Sequence, residues 1–119
     1  MTPPNSEPDL PVTIGPDQRA DYSALPSEAL RREALRYLAR LKREPLLGQP
    51  LRDHPTMGDL TGCRKLYFDE RIDVPPRWRI VYRVLPSEDD PRSVDVISIA
   101  RRAYAEAYVL AARRLGRWQ

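Results

Sequence analysis

The sequence predicts a small α+β domain: an antiparallel sheet, made of a short N-terminal strand and a three-stranded meander, with helices packed on one face and a C-terminal helix. Three observations predict this class. Apolar residues recur at helical spacing in residues 27–43, three segments with strand composition follow within residues 63–99, and helical spacing returns after Ala100. This order of elements is typical of an α+β fold.

The length of 119 residues allows one core and is too short for two. Residues 1–9, rich in Pro, Asn, Ser, Glu and Asp, are expected to form a disordered or loosely held extension, and residues 10–119 a single domain. No apolar run approaches the roughly 20 residues that span a bilayer, and the N-terminus lacks a secretion signal. With one cysteine, Cys63, these features predict a cytoplasmic protein without an internal disulfide or a structural zinc site.

The first half of the chain is predicted to supply one strand and two helices. Residues 10–14 are short and β-branched, which suits an edge strand, and residues 16–25 suit a brief helix. The second helix has the stronger signals, since Ser27 stands at the N-cap position and Pro45 ends the pattern. Its apolar stripe consists of Leu30, Ala34, Leu38 and Leu41.

The second half is predicted to contain three strands, after a loop rich in Gly and Pro over residues 45–61. The strands cover residues 63–68, 77–85 and 93–99. The turn-forming composition of residues 86–91 predicts a hairpin between the last two. A C-terminal helix follows, with Gly116 at the position where glycine often ends a helix.

Arginine dominates the basic residues of the chain. Of 20 Lys and Arg residues only Lys42 and Lys65 are lysine, and the formal net charge is +3. Guanidinium is planar, permanently charged, and binds phosphate through two hydrogen bonds. A GC-rich genome also enriches arginine without any function, so composition alone leaves both explanations open.

Alternation along the strands collects cations on one face of the sheet. Lys65 and Tyr67 share a side of the first strand, and Arg77, Arg79 and Arg83 share a side of the second. Arg101, Arg102, Tyr104 and Tyr108 follow the third strand. Because a row of arginines is costly to bury, this face is expected to be exposed or to face a ligand. Two interpretations remain equal here: a phosphate-binding site, or a solvated face whose cations pair with nearby carboxylates.

Three motifs, in order, resemble those of the RelE/ParE toxin superfamily. They are residues 60–68 (LTGCRKLYF), 78–84 (WRIVYRV) and 97–108 (ISIARRAYAEAY). They match the family patterns L-x-G-x-(Y/R)-(K/R), (Y/W)-R-(I/L)-V-Y and (V/I)-x-x-x-x-(K/R)-R…Y, and the resemblance covers residues 12–115. The motifs are closer to the RelE branch, whose members are ribosome-dependent endoribonucleases, than to the ParE branch of gyrase inhibitors.

The resemblance implies the toxin of a type II toxin–antitoxin system, which cleaves messenger RNA in the ribosomal A site without a metal ion or cofactor. It implies that the catalytic residues are Lys65, Arg79, Arg102 and Tyr108. The expected RNA-binding residues are Arg64, Tyr67, Arg77, Arg83 and Arg101. Tyr67 stands where the family has a second lysine. The expected partners are a cognate antitoxin protein, the ribosome and its messenger RNA.

Cleavage by the ribose 2′-hydroxyl requires a base, stabilisation of a dianionic phosphorane, and an acid for the leaving oxygen. In the implied site Arg79 clamps the phosphate and Arg102 stabilises the developing charge. Lys65 or Tyr108 acts as base or acid once neighbouring cations lower its pKa, unless Tyr108 stacks on a splayed base instead. The alternatives are a ParE-like DNA gyrase inhibitor and a non-catalytic RNA- or protein-binding module, and Tyr67 keeps the second of these open.

Overall fold

The structure is a computed structural model that describes residues 9–51, 53–54 and 58–117. The predicted N-terminal extension lies outside the described residues, apart from Asp9. In chain order, the elements are β1 (Val12–Thr13), α1 (Pro16–Ser23), α2 (Glu28–Leu41), β2 (Gln49–Pro50), β3 (Asp53–His54), β4 (Gly58–Asp59), β5 (Cys63–Phe68), β6 (Trp78–Ser87), β7 (Asp90–Arg101), a 3₁₀ turn (Ala103–Ala105) and α3 (Glu106–Arg114). None of the described helices is long and apolar enough to cross a membrane.

The five strands of the main sheet lie in the order β1-β7-β6-β5-β2. Strands β5, β6 and β7 form the predicted antiparallel meander, and β1 is an edge strand that pairs in parallel with β7. The predicted α+β class is confirmed. The loop after α2 also contributes strands that were not predicted: β2 pairs with β5, and β3 pairs with β4.

Helix α2 forms where its local signals place it. The Ser27 side chain accepts a hydrogen bond from the backbone N–H of Leu30, which caps the helix as predicted. All four residues of the predicted stripe are buried. They pack on the face of the sheet that carries Ile80, Tyr82 and Val84, so this side of the sheet holds the larger core.

The second core lies on the opposite face, beneath α3. Ala107 and Ala111 pack there with Val81 and Ile97 of the central strands. Small residues on the helix let its backbone approach the sheet closely. The face that the sequence predicts to be exposed or ligand-facing is therefore partly covered by the C-terminal helix.

A buried tyrosine fixes the loop that follows α2. The Tyr82 hydroxyl donates a hydrogen bond to the backbone oxygen of Pro45 and accepts one from the backbone N–H of Gly48, both at 2.8 Å. Because the Tyr82 side chain is fully buried, its hydroxyl depends on these two backbone groups for its hydrogen bonds. This network sets the position of β2 against the edge of β5.

Candidate nucleic-acid interface

Five side chains from four parts of the chain meet on the α3 side of the sheet, and we call them the cationic cluster. The cationic cluster consists of Lys65 and Tyr67 of β5, Arg79 of β6, Arg102 just after β7, and Tyr108 of α3. Tyr67 lies directly opposite Arg79 in the β5–β6 register, and Lys65 lies opposite Val81. The antiparallel register therefore brings together residues that the alternation argument had assigned to one face.

Arg79 is the centre of the cationic cluster. Its guanidinium carbon lies 3.8 Å from the centre of the Tyr108 ring and 5.1 Å from the centre of the Tyr67 ring. The residue is only 6% exposed, and its Nε and Nη1 atoms have no hydrogen-bond partner. The arginine row was expected to be exposed or to face a ligand, and Arg79 is not exposed, because α3 folds back and places Tyr108 over the guanidinium.

Lys65 and Arg102 bring two more positive charges to the same rings. Lys65 Nζ lies 5.0 Å from the centre of the Tyr67 ring and 5.9 Å from that of Tyr108, and Arg102 Cζ lies 5.0 Å from the Tyr67 ring. Within the described part of the chain, none of Lys65, Arg79 and Arg102 forms an ion pair with a carboxylate. Three cations that lie around the same tyrosine ring without a carboxylate partner attract an anion.

The position of α3 depends on contacts at both of its ends. At the start, Ala105 takes a left-handed conformation (φ 54°) that turns the chain from the 3₁₀ turn into the helix. The buried hydroxyl of Ser98 donates to the backbone oxygen of Ala107 at 2.7 Å. At the far end, Arg114 donates to both carboxylate oxygens of Asp21, at 2.6 and 2.9 Å. These contacts hold Tyr108 over the sheet.

The electrostatics of the cationic cluster differ among its titratable groups. Burial alone would raise the pKa of Tyr67, but hydrogen bonding with Lys65 and Tyr108 and the positive charge of Arg79 outweigh burial and lower that pKa to about 8. Burial would lower the pKa of Lys65, but hydrogen bonding with the two tyrosines raises it. Burial raises the pKa of Tyr108. The expected lowering of the pKa of Lys65 or Tyr108 is therefore wrong in direction.

None of the four arginines predicted to bind RNA is a member of the cationic cluster, and two of them, Arg64 and Arg83, are engaged in ion pairs elsewhere. Arg64 extends toward the α2 side, where it forms two hydrogen bonds with Glu88, at 2.9 and 3.0 Å, and one with the backbone oxygen of Gly48. Arg83 pairs with Asp95 at 3.0 Å and lies four residues along β6 from Arg79, about 13 Å away. Both make the structural ion pairs that the alternative interpretation described.

Arg77 and Arg101 lie nearer to the cationic cluster and remain exposed. Arg77 donates two hydrogen bonds to Asp69, and the guanidinium of Arg101 lies 5.5 Å from the ring centre of Trp78. Trp78 and Arg101 are opposite each other in the β6–β7 register, next to Arg102. Sequence analysis did not single out Trp78 as a site residue, since an aromatic residue in a strand usually indicates core packing.

A cavity of about 710 Å³ opens beside the cationic cluster. Its lining includes Pro26, Leu30, Val74, Pro75, Pro76, Trp78, Arg101 and Arg102. Arg102 therefore belongs both to the cavity and to the cationic cluster. Among the described residues, no three His, Cys, Asp or Glu side chains come close enough together to hold a metal ion.

Comparisons with known proteins define the fold class. The chain has the fold of a RelE-like toxin, as its motifs predicted. The toxin RelE of E. coli, solved as a double mutant in the free state, superposes with a TM-score of 0.64 at 21% identity, over 90% of this chain and 98% of that one. A chain of the toxin–antitoxin complex RelBE2 of Mycobacterium tuberculosis gives a TM-score of 0.48 at 24% identity, over 79% of this chain and 99% of that one. No protein-family model matches the sequence, and no curated protein matches it either.

Proposed function

We propose that this protein is the toxin of a toxin–antitoxin pair and that it is a metal-independent endoribonuclease, which cleaves messenger RNA in the ribosomal A site. The observation that carries the proposal is Arg79, a buried guanidinium with two nitrogens that lack hydrogen-bond partners. A buried charge without a counter-ion costs several kcal/mol, so a fold retains one where a ligand completes it. A phosphate, with two oxygens spaced for a guanidinium fork, is the matching ligand.

The neighbours of Arg79 favour a catalytic site, in which the phosphate reacts, over a site that only binds phosphate. Lys65 and Arg102 can each approach a non-bridging oxygen, which stabilises the extra charge that develops on a phosphorane. Arg102 is exposed and follows the end of β7, so it can reach the leaving side of the phosphate. Arg101, Trp78 and the adjoining cavity offer a cation, an aromatic surface and space for the next nucleotide of a single strand.

The shared fold of E. coli RelE, a toxin, supports the same assignment. The cognate antitoxin is proposed to cover the cationic cluster until the toxin is released, because three unpaired cations provide a strong site for an acidic segment of a partner. The protein acts in the cytoplasm in this proposal, since translating ribosomes are its target.

Induced expression of the toxin without its antitoxin tests the proposal. Growth should stop, translated messages should carry new ends within codons, and the same RNA without ribosomes should remain nearly intact. Arg79→Ala and Arg102→Ala should each abolish growth arrest and cleavage. The matched control is Arg92→Ala, since Arg92 is exposed in the β6–β7 hairpin and, among the residues that the structure describes, forms its ion pair with Asp90 alone.

Two results would contradict the proposal. Growth arrest with intact messages and a defect in DNA supercoiling would identify a gyrase inhibitor. Wild-type toxicity of both Arg79→Ala and Arg102→Ala, with the folded state verified by circular dichroism, would show that the cationic cluster is not the active site.

A further inference from the structure

If the cationic cluster cleaves RNA, one of its side chains has to act as a general base. The following inference about which side chain does so rests on the proposed function. Arg79 and Arg102 are guanidinium groups, which stay protonated in proteins. Hydrogen bonding holds the pKa of Lys65 above its usual range, and burial raises the pKa of Tyr108. At neutral pH none of these four groups is in a form that accepts a proton.

Tyr67 has the surroundings that stabilise an anion. Cations face its ring from three separate elements: Lys65 of β5 at 5.0 Å, Arg79 of β6 at 5.1 Å, and Arg102 after β7 at 5.0 Å from the ring centre. Tyr108 approaches it from α3 as a hydrogen-bonding partner. Lys65 and Arg79 each favour the phenolate over the phenol, and Lys65 does so through a hydrogen bond as well as through its charge.

Tyr67 also ionises before its neighbour Tyr108. Arg102 contacts the ring of Tyr67, and Lys65 lies nearer to Tyr67 than to Tyr108. Tyr108 is 7% exposed, whereas Tyr67 is half-buried, so desolvation penalises the Tyr108 anion more. A pKa of about 8 for Tyr67 leaves on the order of one molecule in ten ionised at pH 7. The Tyr108 hydroxyl then donates to the Tyr67 oxygen.

We infer that the phenolate of Tyr67 is the general base that takes the proton from the ribose 2′-hydroxyl. The resemblance places a lysine at this position. Tyr67 supplies an oxygen base in its place, so the substitution keeps a group that can abstract the proton. The inference also changes the expected role of Tyr67 from RNA contact to catalysis. Tyr67 lies directly opposite Arg79 in the β5–β6 register, with its ring centre 5.1 Å from the guanidinium that is proposed to hold the phosphate.

The proton and electron balance of this step closes within the cationic cluster. The 2′-oxygen loses its proton to Tyr67 Oη and forms a bond to phosphorus, while the bond from phosphorus to the 5′-oxygen breaks and leaves its electron pair on that oxygen. The 5′-oxygen takes a proton from the Lys65 ammonium. The products are a 2′,3′-cyclic phosphate and a 5′-hydroxyl. The proton on Tyr67 then returns to Lys65 through their hydrogen bond, which restores the starting state.

Ultraviolet titration of the free full-length toxin tests the ionisation without any ribosome. An early ionisation step of a single tyrosine should appear near pH 8. Tyr67→Phe should remove this early step, and Tyr37→Phe, a change on α2 away from the cationic cluster, should leave it in place. An early step that survives in Tyr67→Phe, or no early step in the wild type, would overturn the inference.

Cleavage of messages on stalled ribosomes, with toxin in excess, tests the catalytic role. The wild-type rate should rise about tenfold per pH unit and level off near pH 8, as expected for a required base with that pKa. Tyr67→Phe should be slower by about 100-fold or more and should lose this slope. Tyr67→His should recover part of the rate with its inflection at lower pH, because imidazole is a weaker base than phenolate.

Failure of the inference and failure of the proposed function give different results. If Tyr67→Phe cleaves at the wild-type rate with the wild-type pH profile while Arg79→Ala is inactive, Tyr67 is not the base and the proposed function stands. If the wild type does not cleave messages on ribosomes at any pH, the proposed function is wrong, and the catalytic role of Tyr67 is wrong with it.

Discussion

Tyr108 closes over Arg79, with 3.8 Å between the centre of its ring and the guanidinium carbon. The contact is a cation–π interaction in a place from which water is largely excluded, where such a pair contributes about 2 kcal/mol. It offsets part of the cost of burying Arg79 but supplies no hydrogen bond to Nε or Nη1. The fold therefore holds this cation in place before any ligand arrives.

Replacement of Arg79 by methionine should separate stability from function. Arg79→Met removes a buried charge with unpaired nitrogens and keeps a flexible apolar side chain beneath Tyr108, so the free energy of unfolding should rise by about 1 kcal/mol. Urea denaturation measures this, and ribosome-dependent cleavage should be lost in the same variant. If the free energy of unfolding instead falls by more than about 1 kcal/mol, Arg79 stabilises the fold, and the argument from its unpaired nitrogens is wrong.

Inorganic phosphate should bind the free protein through the guanidinium of Arg79. We expect millimolar phosphate to raise the melting temperature of the wild type, because an anion that binds only the folded state stabilises it. Arg79→Met should show no such rise, whereas Arg92→Ala should respond like the wild type. Equal responses of Arg79→Met and the wild type would place the anion elsewhere.

The ion pair between Asp21 and Arg114 should contribute more to the free energy of unfolding than the exposed pairs of the described residues do. The Asp21 side chain is 12% exposed and also accepts a hydrogen bond from the backbone N–H of Ile99. Asp21→Ala leaves Arg114 and that N–H without this partner, so the free energy of unfolding should fall by about 3 kcal/mol. Asp17→Ala is the matched control, since Asp17 is 73% exposed and lies 4.0 Å from the same arginine, and it should cost less than about 0.5 kcal/mol. Similar losses from both variants would contradict this assignment.

Asp69 should make the fold sensitive to acid. Its side chain is 1% exposed and accepts hydrogen bonds from the Arg77 guanidinium and from the backbone N–H groups of Glu70, Arg71 and Arg77. The hydrogen bonds from the Arg77 side chain are the main reason that the pKa of Asp69 lies well below the usual range. A lowered carboxyl pKa stabilises the fold above the ordinary value of about 4, and that stability is lost as pH falls below it.

Unfolding measured between pH 2 and pH 7, about the range over which carboxyl groups titrate, tests this role of Asp69. Asp69→Asn should lower stability at pH 7 by about 2 kcal/mol and should lose less stability than the wild type on acidification. Asp90→Asn, a change at an exposed residue, should keep the wild-type pH dependence. If the Asp69→Asn and wild-type curves run parallel, Asp69 does not carry the acid sensitivity.

Gly48 should tolerate no side chain. A Cβ atom at this position would lie 2.6 Å from the backbone oxygen of Lys65 and 2.9 Å from the ring and hydroxyl of Tyr82. Gly48→Ala should therefore cost about 2 kcal/mol of stability by thermal or urea denaturation. Gly15→Ala should cost less, since its Cβ would meet only the flexible end of Gln18. A neutral Gly48→Ala would mean that β2 can move away from β5.

The sequence predicted those elements whose signals are local. Ser27 and the apolar stripe of α2 depend on neighbours within one or two helical turns, and β5 was predicted with its observed bounds, Cys63–Phe68. Gly116 takes the positive φ of 70° that ends α3. Local signals could not predict the short strand β2 or the parallel pairing of β1, because both depend on hydrogen bonds to distant parts of the chain.

The sequence predicted which residues of the candidate site lie close together, but it did not predict their burial or their pKa values. Strand alternation and the resemblance brought together Lys65, Tyr67 and Arg79 on one face, and the structure places them together. Burial of Arg79 depends on where α3 packs, which alternation within one strand does not encode. The pKa of Tyr67 is lowered by hydrogen bonding with Lys65 and Tyr108 and by the charge of Arg79. Two of these residues lie on other elements, so no local pattern could predict the shift.

The ion pair of Asp21 and Arg114 joins residues that are 93 positions apart. Synthesis proceeds from the N-terminus, so a growing chain has β5 and β6 long before it has Arg102, Tyr108 or the residue that anchors α3. An unfinished chain therefore has an incomplete cationic cluster, in which the ring of Tyr108 does not yet cover Arg79. The cationic cluster is therefore complete only after translation has passed Arg114 and α3 has docked on the sheet.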